Sequence, residues 1–548
     1  MMQNFIEKFE TSVKECWNNA AVSDYKNNTW TYSQVAEEIA KMHLVWKAAG
    51  IGQGDKISLN ARSSANWAKV FMAVTSGGHV AVQLFNGFTP ADAQKFTHHS
   101  DSKILFTEKA IFDGMNFDEM PQLLAAFDTK SMELLASRGE FASIHAKREE
   151  LFKQAYPNGF APSAVEYVKL DMDELCCINY TSGSTGNPKG VMLSVRNISS
   201  NVEMIPVHFP YRRGDNYLSV LPFAHIFGLL YDMIACMCTG MHLTVLGLPP
   251  APTILKDAMQ QIKPHVIMMV PLVLSKMAEY AIGEFIHSRT GEARLADHKQ
   301  HPEFCQALRT IVLSYLGGQC EVIVTGGAAI PDNLEQLLIT KLDMPLVTGY
   351  GMTECGPTIS LGHLGKYKLK SCGEIVERMQ ARIDSADPQN TVGELWVKGD
   401  NCFTGYYKNP EADKEVFTEE GWFRTGDLGI IDSEDTLFLV GRCKSMLLAS
   451  NGQNVYPEEI EVKLNAMPYV AESIVVQRGE KFTAIVVPNA DLLANDGVSA
   501  ETLKEIMERN IATLNTQIPA YSAISDYELH NDPFAKTPKG SIKRFMYS

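Results

Sequence analysis

Short apolar runs alternate with helix-patterned segments through roughly the first 350 residues, and this alternation constrains the fold more than any other feature of the chain. Lys103-Ile-Leu-Phe-Thr107, Val266-Ile-Met-Met-Val270 and Val322-Ile-Val-Thr325 read as strands buried on both faces. Tyr32 to Ala48 instead sets Val35, Ile39, Met42 and Val45 on one helical face. Strands and helices in alternation predict an α/β fold of mostly parallel sheets covered by helices. A helix-rich, charged stretch from Leu274 to Arg309 reads as an insertion within it.

The pattern changes between Ala381 and Val440. Gly393-Glu-Leu-Trp-Val-Lys-Gly399 alternates like a half-exposed strand, and turn residues recur, which predicts a small β-rich subdomain. A boundary follows near Gly441-Arg442. Beyond it Pro457-Glu458-Glu459 reads as a helix start, with Ile460, Leu464 and Met467 on one face. Strands at Ser473 to Val476 and Phe482 to Val487 complete a small α+β domain. The expected division is therefore residues 1–441 and 442–548, since 548 residues exceed one ordinary core.

Charge and cysteine usage exclude several functions. Lys plus Arg number 49 against 64 Asp plus Glu, a net −15, which argues against a nucleic-acid binder. The eleven cysteines lack metal-site spacing and fit a reducing interior better than a disulfide framework. Met1-Met2-Gln3-Asn4-Phe5 has no basic region followed by an apolar run, so a signal peptide is not expected, and Pro271, Asp232 and His242 interrupt the most apolar stretches short of the roughly 20 residues a spanning helix needs. A cytoplasmic protein is expected.

The chemistry concentrates in Tyr180-Thr-Ser-Gly-Ser-Thr-Gly-Asn-Pro-Lys-Gly-Val-Met-Leu-Ser194, which follows the apolar run Leu175 to Ile178. Glycines let backbone amides turn inward, hydroxyls add donors, and Lys189 supplies a point charge, as a polyphosphate cradle requires. The alternative is a Ser/Gly-rich surface loop. Pro188 and Gly190 stand where a Walker A loop has Gly and Ser or Thr, so the loop is not of that type. The string resembles the signature of the AMP-forming acyl-CoA synthetase, adenylation-domain and luciferase superfamily; within it the Leu274 to Arg309 stretch makes the chain most like the long-chain fatty acid–CoA ligases. That resemblance implies that Thr181, Ser182, Gly183, Ser184, Thr185, Gly186 and Lys189 hold the phosphates of ATP.

Further segments resemble the same family in the same order. Thr348-Gly-Tyr-Gly-Met-Thr-Glu354 is similar to its second adenylate motif. By that likeness Tyr350 stacks on adenine beside Gly351 and Met352, Thr353 contacts phosphate, and Glu354 is a Mg²⁺ ligand. Gly326-Gly327-Ala328-Ala329 resembles the turn lining the adenine pocket, which brings in Gly327 and Ala328. Gly421-Trp-Phe-Arg-Thr-Gly-Asp427 resembles the ribose motif, with Asp427 and then Arg442 on the sugar. Leu221-Pro-Phe-Ala-His-Ile-Phe-Gly228 resembles the border of the acyl pocket, with His225 near the acyl group. Lys444 and Ser445 occupy the hinge about which the family's small, mobile C-terminal domain rotates, and Gly452 lies in the segment resembling the CoA tunnel.

The resemblance implies attack of a carboxylate on the α-phosphate of ATP, release of pyrophosphate, and capture of the acyl group by the thiol of CoA, with Mg²⁺ assisting the first step. A medium- to long-chain fatty acid is favoured because the Leu274 to Arg309 stretch resembles an insertion of long-chain synthetases. Such an acid implies transient contact with a membrane surface. One position departs from the family: Gly540 is followed by Ser541, where the adenylation lysine is usual. In an extended segment Lys539, Ser541 and Lys543 share a face in steps of about 6.5–7 Å, so Lys539 or Lys543 is expected to serve. Two rival readings are a ligase acylating a carrier protein and a non-catalytic nucleotide binder that lost turnover with the lysine.

Overall fold

The computed structural model describes residues 2–181, 189–449, 453–479, 481–536 and 542–547. Ser182, Gly183, Ser184, Thr185 and Gly186 of the phosphate loop, Gly452, Lys539 and Ser541 lie outside the described residues.

Among the described residues the largest sheet has eight strands. Leu175–Thr181, Val80–Gln83, Lys56–Asn60, Ile104–Thr107 and Ala125–Asp128 run parallel in that spatial order. Lys189–Ser194 turns back antiparallel on Leu175–Thr181, with Thr181 opposite Lys189, so the phosphate-loop string joins the ends of two paired strands. A second sheet runs Val266–Met269, Val322–Gly326, Leu346–Gly351, Thr358–Leu361 and Glu374–Ile375, parallel across the first three and antiparallel across the rest. Its two leading motifs, Gly326-Gly327 and Thr348 to Glu354, thus leave the same edge of adjacent parallel strands, where open α/β sheets place their ligand crevices.

Helix Tyr32–Ala48 begins and ends where its periodicity predicts. Thr31 and Gln34 form a capping box, and Val35, Ile39 and Val45 are buried. Met42 sits at the edge of that face and is only partly buried. The stretch read as an insertion is a crossover. Helices Pro271–Ile286, Arg289–Ala296 and Pro302–Tyr315 connect two strands that pair directly, Val266–Met269 and Val322–Gly326. Leu274, Met277, Leu308 and Val312 pack these helices onto the second sheet, so the segment belongs to the core.

The β-rich subdomain is an antiparallel sheet of Met379–Asp384, Gly393–Gly399, Phe423–Ile431 and Leu437–Arg442. The C-terminal domain follows with helix Pro457–Asn465 against Val470–Arg478, Lys481–Pro488 and Ile524–Leu529. Ile460 and Leu464 are buried as expected, whereas Met467 lies past the helix end and packs from the following turn. Among the described residues no helix is long and apolar enough to cross a membrane.

Candidate functional site

A cavity of about 470 Å³, counting space open to solvent, lies between the second sheet and the segment from His225 to Tyr231. Its walls include His225, Phe227, Tyr231, Thr325, Gly327, Tyr350, Gly351, Met352 and Thr358. The structure therefore brings together five residues singled out in the sequence: His225, Gly327, Tyr350, Gly351 and Met352. Ala328, one residue past Gly327, is exposed and does not line the cavity. Glycine is required at 351, because a Cβ there would come within 2.0 Å of the Pro357 carbonyl oxygen. Gly327 has φ +83°, a left-handed conformation that only glycine adopts without strain.

Three sequence-predicted residues form one chain of contacts. The Tyr350 hydroxyl donates to Asp427 Oδ2 at 2.5 Å, and Arg442 Nε lies 3.0 Å from Asp427 Oδ1. Asp427 and Arg442 are opposite each other in the antiparallel pair of Phe423–Ile431 with Leu437–Arg442, so the sheet register sets their approach. Asp427 is buried while the Arg442 side chain is 64% exposed. Burial, then Asp427, pushes the Tyr350 phenol well above its usual range, so it stays a neutral donor. The Asp427 charge likewise raises Arg442.

Glu354 and Lys189 meet through a residue that sequence reasoning missed. The Tyr406 hydroxyl donates to Glu354 Oε1 at 3.0 Å, and Lys189 Nζ stands 4.7 Å from the centre of the Tyr406 ring. The short strand Gly405–Tyr406 pairs with Met192 and Val191 of the strand carrying Lys189. Phe403 N also donates to the Glu354 carbonyl at 2.7 Å. Burial and the neighbouring Glu354 charge hold the Tyr406 phenol far above its ordinary range, which keeps it protonated. Thr353 is buried one residue before Glu354. No group of three His, Cys, Asp or Glu among the described residues could hold a metal alone. A single carboxylate steadied by a phenol does fit Mg²⁺, which takes one or two carboxylates and completes its shell with water and substrate phosphates.

His225 accepts from Phe227 N at Nδ1 (3.4 Å), which assigns the ring proton of the neutral form to Nε2. Its segment is tied to the phosphate-loop strand, because Asn179 Nδ2 donates to the Ala224 carbonyl at 3.1 Å and to Gln83 Oε1 at 2.5 Å. Across the cavity the Tyr231 and Thr358 hydroxyls lie 2.7 Å apart. Tyr231 stands in a π-helical turn, Gly228–Ile234, and such turns are frequent at functional sites.

The remaining sequence-predicted residues are not part of the cavity wall. Lys444 is exposed and Ser445 half-buried, just past the end of the strand Leu437–Arg442. Lys543 N donates to the Ala535 carbonyl at 2.8 Å, and the next residue, Arg544, forms an ion pair with Glu461. That stretch of the tail is held on the C-terminal domain.

Residues 9–407 match the AMP-binding enzyme family, and residues 444–547 match the AMP-binding enzyme C-terminal domain. Long-chain-fatty-acid–CoA ligase 1 of Saccharomyces cerevisiae is 26% identical over 525 residues, covering 88% of this chain and 74% of the yeast protein. 4-Coumarate–CoA ligase 1 of Arabidopsis thaliana is 26% identical over 558 residues, covering 98% and 89%. ATP-bound MatB from Rhodopseudomonas palustris has the same fold, with a TM-score of 0.76 at 21% identity over 99% of this chain and 98% of that one.

Proposed function

The chain belongs to the AMP-binding enzyme family, and from that membership we propose that it is an acid–CoA ligase whose acid is a medium- to long-chain fatty acid. The observation that carries the reading is the contact chain Tyr350–Asp427–Arg442, which starts from Tyr350 in the wall of one apolar-walled cavity that also contains His225. A nucleoside fits the first three and an acyl group the cavity.

A carboxylate is ionised at neutral pH, so its attack on the α-phosphorus needs no general base. The carboxylate oxygen forms a bond to phosphorus as the bond to pyrophosphate breaks, giving the acyl-adenylate. In this reading Thr181, Lys189 and Thr353 contact the phosphates, and Tyr350 offers its ring face to adenine. Asp427 accepts from the ribose hydroxyls, and Arg442 steadies Asp427. Mg²⁺ held by Glu354 would neutralise charge on the phosphates. The CoA sulfur then attacks the acyl carbonyl, AMP leaves with the bonding electron pair, and the thiol proton passes to solvent. We place the domain division at 441/442 and the hinge at Lys444 and Ser445, where the last strand of the β-rich subdomain ends.

The apolar walls Ile226, Phe227, Val324 and Leu361 and the yeast relative support a fatty acid. A compact aromatic acid is the second reading, favoured by the Tyr231–Thr358 hydrogen bond across the cavity. AMP release from ATP, measured against a panel of fatty and aromatic acids with and without CoA, decides between them. CoA-independent acyl-adenylate accumulation with transfer to a carrier thiol would favour the carrier-protein reading. ATP binding without pyrophosphate release would leave only a nucleotide binder.

Tyr406→Phe keeps the ring beside Lys189 and removes the donor to Glu354. A hydrogen bond to a charged group contributes about 1.5–3 kcal/mol. The variant is expected to need roughly tenfold more Mg²⁺ for half-maximal pyrophosphate exchange, with most of the rate restored at saturating Mg²⁺. An unchanged Mg²⁺ dependence removes Tyr406 from the site.

A further inference from the structure

Four carboxylates are buried among the described residues: Asp232, Glu335, Asp427 and Glu461. Asp427 and Glu461 have arginine partners. Asp232, which is fully buried, is held instead by neutral donors from one short segment. Ser219 Oγ donates to its Oδ2 at 2.8 Å and Leu221 N to the same oxygen at 3.1 Å, while the Tyr217 hydroxyl donates to Oδ1 at 2.9 Å.

The place of these bonds gives them a consequence for the cavity. The strand Asn216–Ser219 ends at Ser219, and the chain then runs through Leu221 and Pro222 to His225. Three backbone donors pin this exit: Leu221 N on Asp232, Phe223 N on Ser63 Oγ at 2.8 Å, and His225 N on the Pro222 carbonyl at 3.0 Å. Pro222 has no N–H. Asp232 belongs to the π-helical turn that carries Tyr231, so its carboxylate couples two parts of the cavity wall that faces the second sheet, the His225 segment and the Tyr231 turn. They are pressed together at Gly228, where a Cβ would come within 2.5 Å of the Pro222 carbonyl oxygen.

We propose that Asp232 is a positioning residue for the acyl site: by gripping Tyr217, Ser219 and Leu221 N it fixes where His225 and Tyr231 stand against the acyl group, while leaving the nucleotide end untouched. This inference rests on the reading of the cavity as an acyl site. A buried carboxylate suits the task better than an apolar side chain, because removing it leaves an amide and two hydroxyls without acceptors in the core. Asn at this position has the same shape. Its oxygen can accept from Ser219 and Leu221 N, and its amide can donate to the Tyr217 oxygen.

The test measures binding to the full chain by calorimetry, using AMP and the dodecanoyl, benzoyl and malonyl sulfamoyl-adenosine analogues. The acyl advantage is the ratio of the AMP Kd to that of the best analogue. Asp232→Ala is expected to cut this advantage at least tenfold with the AMP Kd within twofold of wild type. Asp232→Asn should restore it to within threefold. Equal losses for AMP and analogue, or no loss, overturn the proposal. So does a wild-type protein that gains nothing from any acyl group while still binding AMP. A wild type that binds neither AMP nor analogue refutes the ligase reading itself. Should Asp232→Ala not fold, Ser219→Ala and Tyr217→Phe each remove one donor. Each is expected to lower the advantage about threefold, and no change in both also overturns the proposal.

Discussion

Glu354→Gln is expected to slow ATP–pyrophosphate exchange by roughly 10²–10³-fold, the loss typical when one charge-stabilising group is removed from a transition state. The amide keeps the shape of the carboxylate and still accepts from the Tyr406 hydroxyl, which lies 3.0 Å from Oε1 in the native protein. What it loses is the negative charge that a hard cation requires. AMP binding draws on Tyr350, Asp427 and Arg442 in this reading, so the variant's AMP affinity should stay within about threefold of wild type. The pairing of a large rate loss with retained AMP binding separates a metal role from a folding defect. Exchange within tenfold of wild type at saturating Mg²⁺ would remove Glu354 from the metal site, and Lys189 would then remain as the principal counter-charge near the phosphates.

Asp232 also makes stability depend on pH. Burial pushes its carboxyl up to about 7, partly offset by the bonds from Ser219, Tyr217, Leu221 N and Val220 N. The groups facing it are those of Tyr217, Ser219 and Cys236 of the helix that follows the turn, with Tyr211 beyond Tyr217; none is cationic. The folded-state value lies above that of the unfolded chain. The neutral carboxyl therefore favours the folded state at low pH, and that contribution is lost as pH rises through about 7. Asp232→Asn, which cannot ionise, should flatten the fall in Tm between pH 5.5 and 8.5. Parallel Tm profiles for the two proteins would contradict the raised value.

The parts of this molecule legible in its sequence are those fixed by local chemistry. The capping box of Thr31 and Gln34 and the spacing of Val35, Ile39 and Val45 define Tyr32–Ala48 without reference to the rest of the fold. The same holds for the strands Val266–Met269 and Val322–Gly326, whose apolar runs suffice to identify them. Pairing between distant segments was not legible. The stretch after Leu274 carries helical patterning whether it is an insertion or a crossover, and only the direct pairing of Val266 with Val322 makes it the latter. Tyr406 follows the same logic. In the sequence it is one of two tyrosines after Gly405, and its approach to Glu354 arises because a two-residue strand adds to the edge beyond Lys189. Asp232 looked like a mere interruption of an apolar stretch, because its donors lie 11 to 15 residues earlier.

The second large effect concerns the tail, where Ser541 follows the glycine that usually precedes a lysine. Ile542 bridges to Lys536 and packs against the cluster containing Val476, Ile485 and Val487. Successive side chains of an extended chain point to opposite faces, so with Ile542 turned onto the domain, Lys543 is directed outward, half-buried beside the Arg544–Glu461 ion pair. That pair fixes the base of the tail: Glu461 is buried, and burial holds its carboxyl above the usual range despite the arginine. In the proposed reading, in which the C-terminal domain turns about Lys444 and Ser445, a flexible lysine stem leaving such an anchored base would reach a phosphate. Lys543→Ala is therefore expected to reduce pyrophosphate exchange by about 10²-fold, with Lys539→Ala giving a smaller loss and the double variant the largest. Thioester formation from preformed acyl-adenylate should proceed at the wild-type rate, since no pyrophosphate leaves in that step. Exchange unaltered in both single variants and in the double would show that neither lysine substitutes for the residue missing at 541, and adenylation would then rest on the N-terminal domain's own cations.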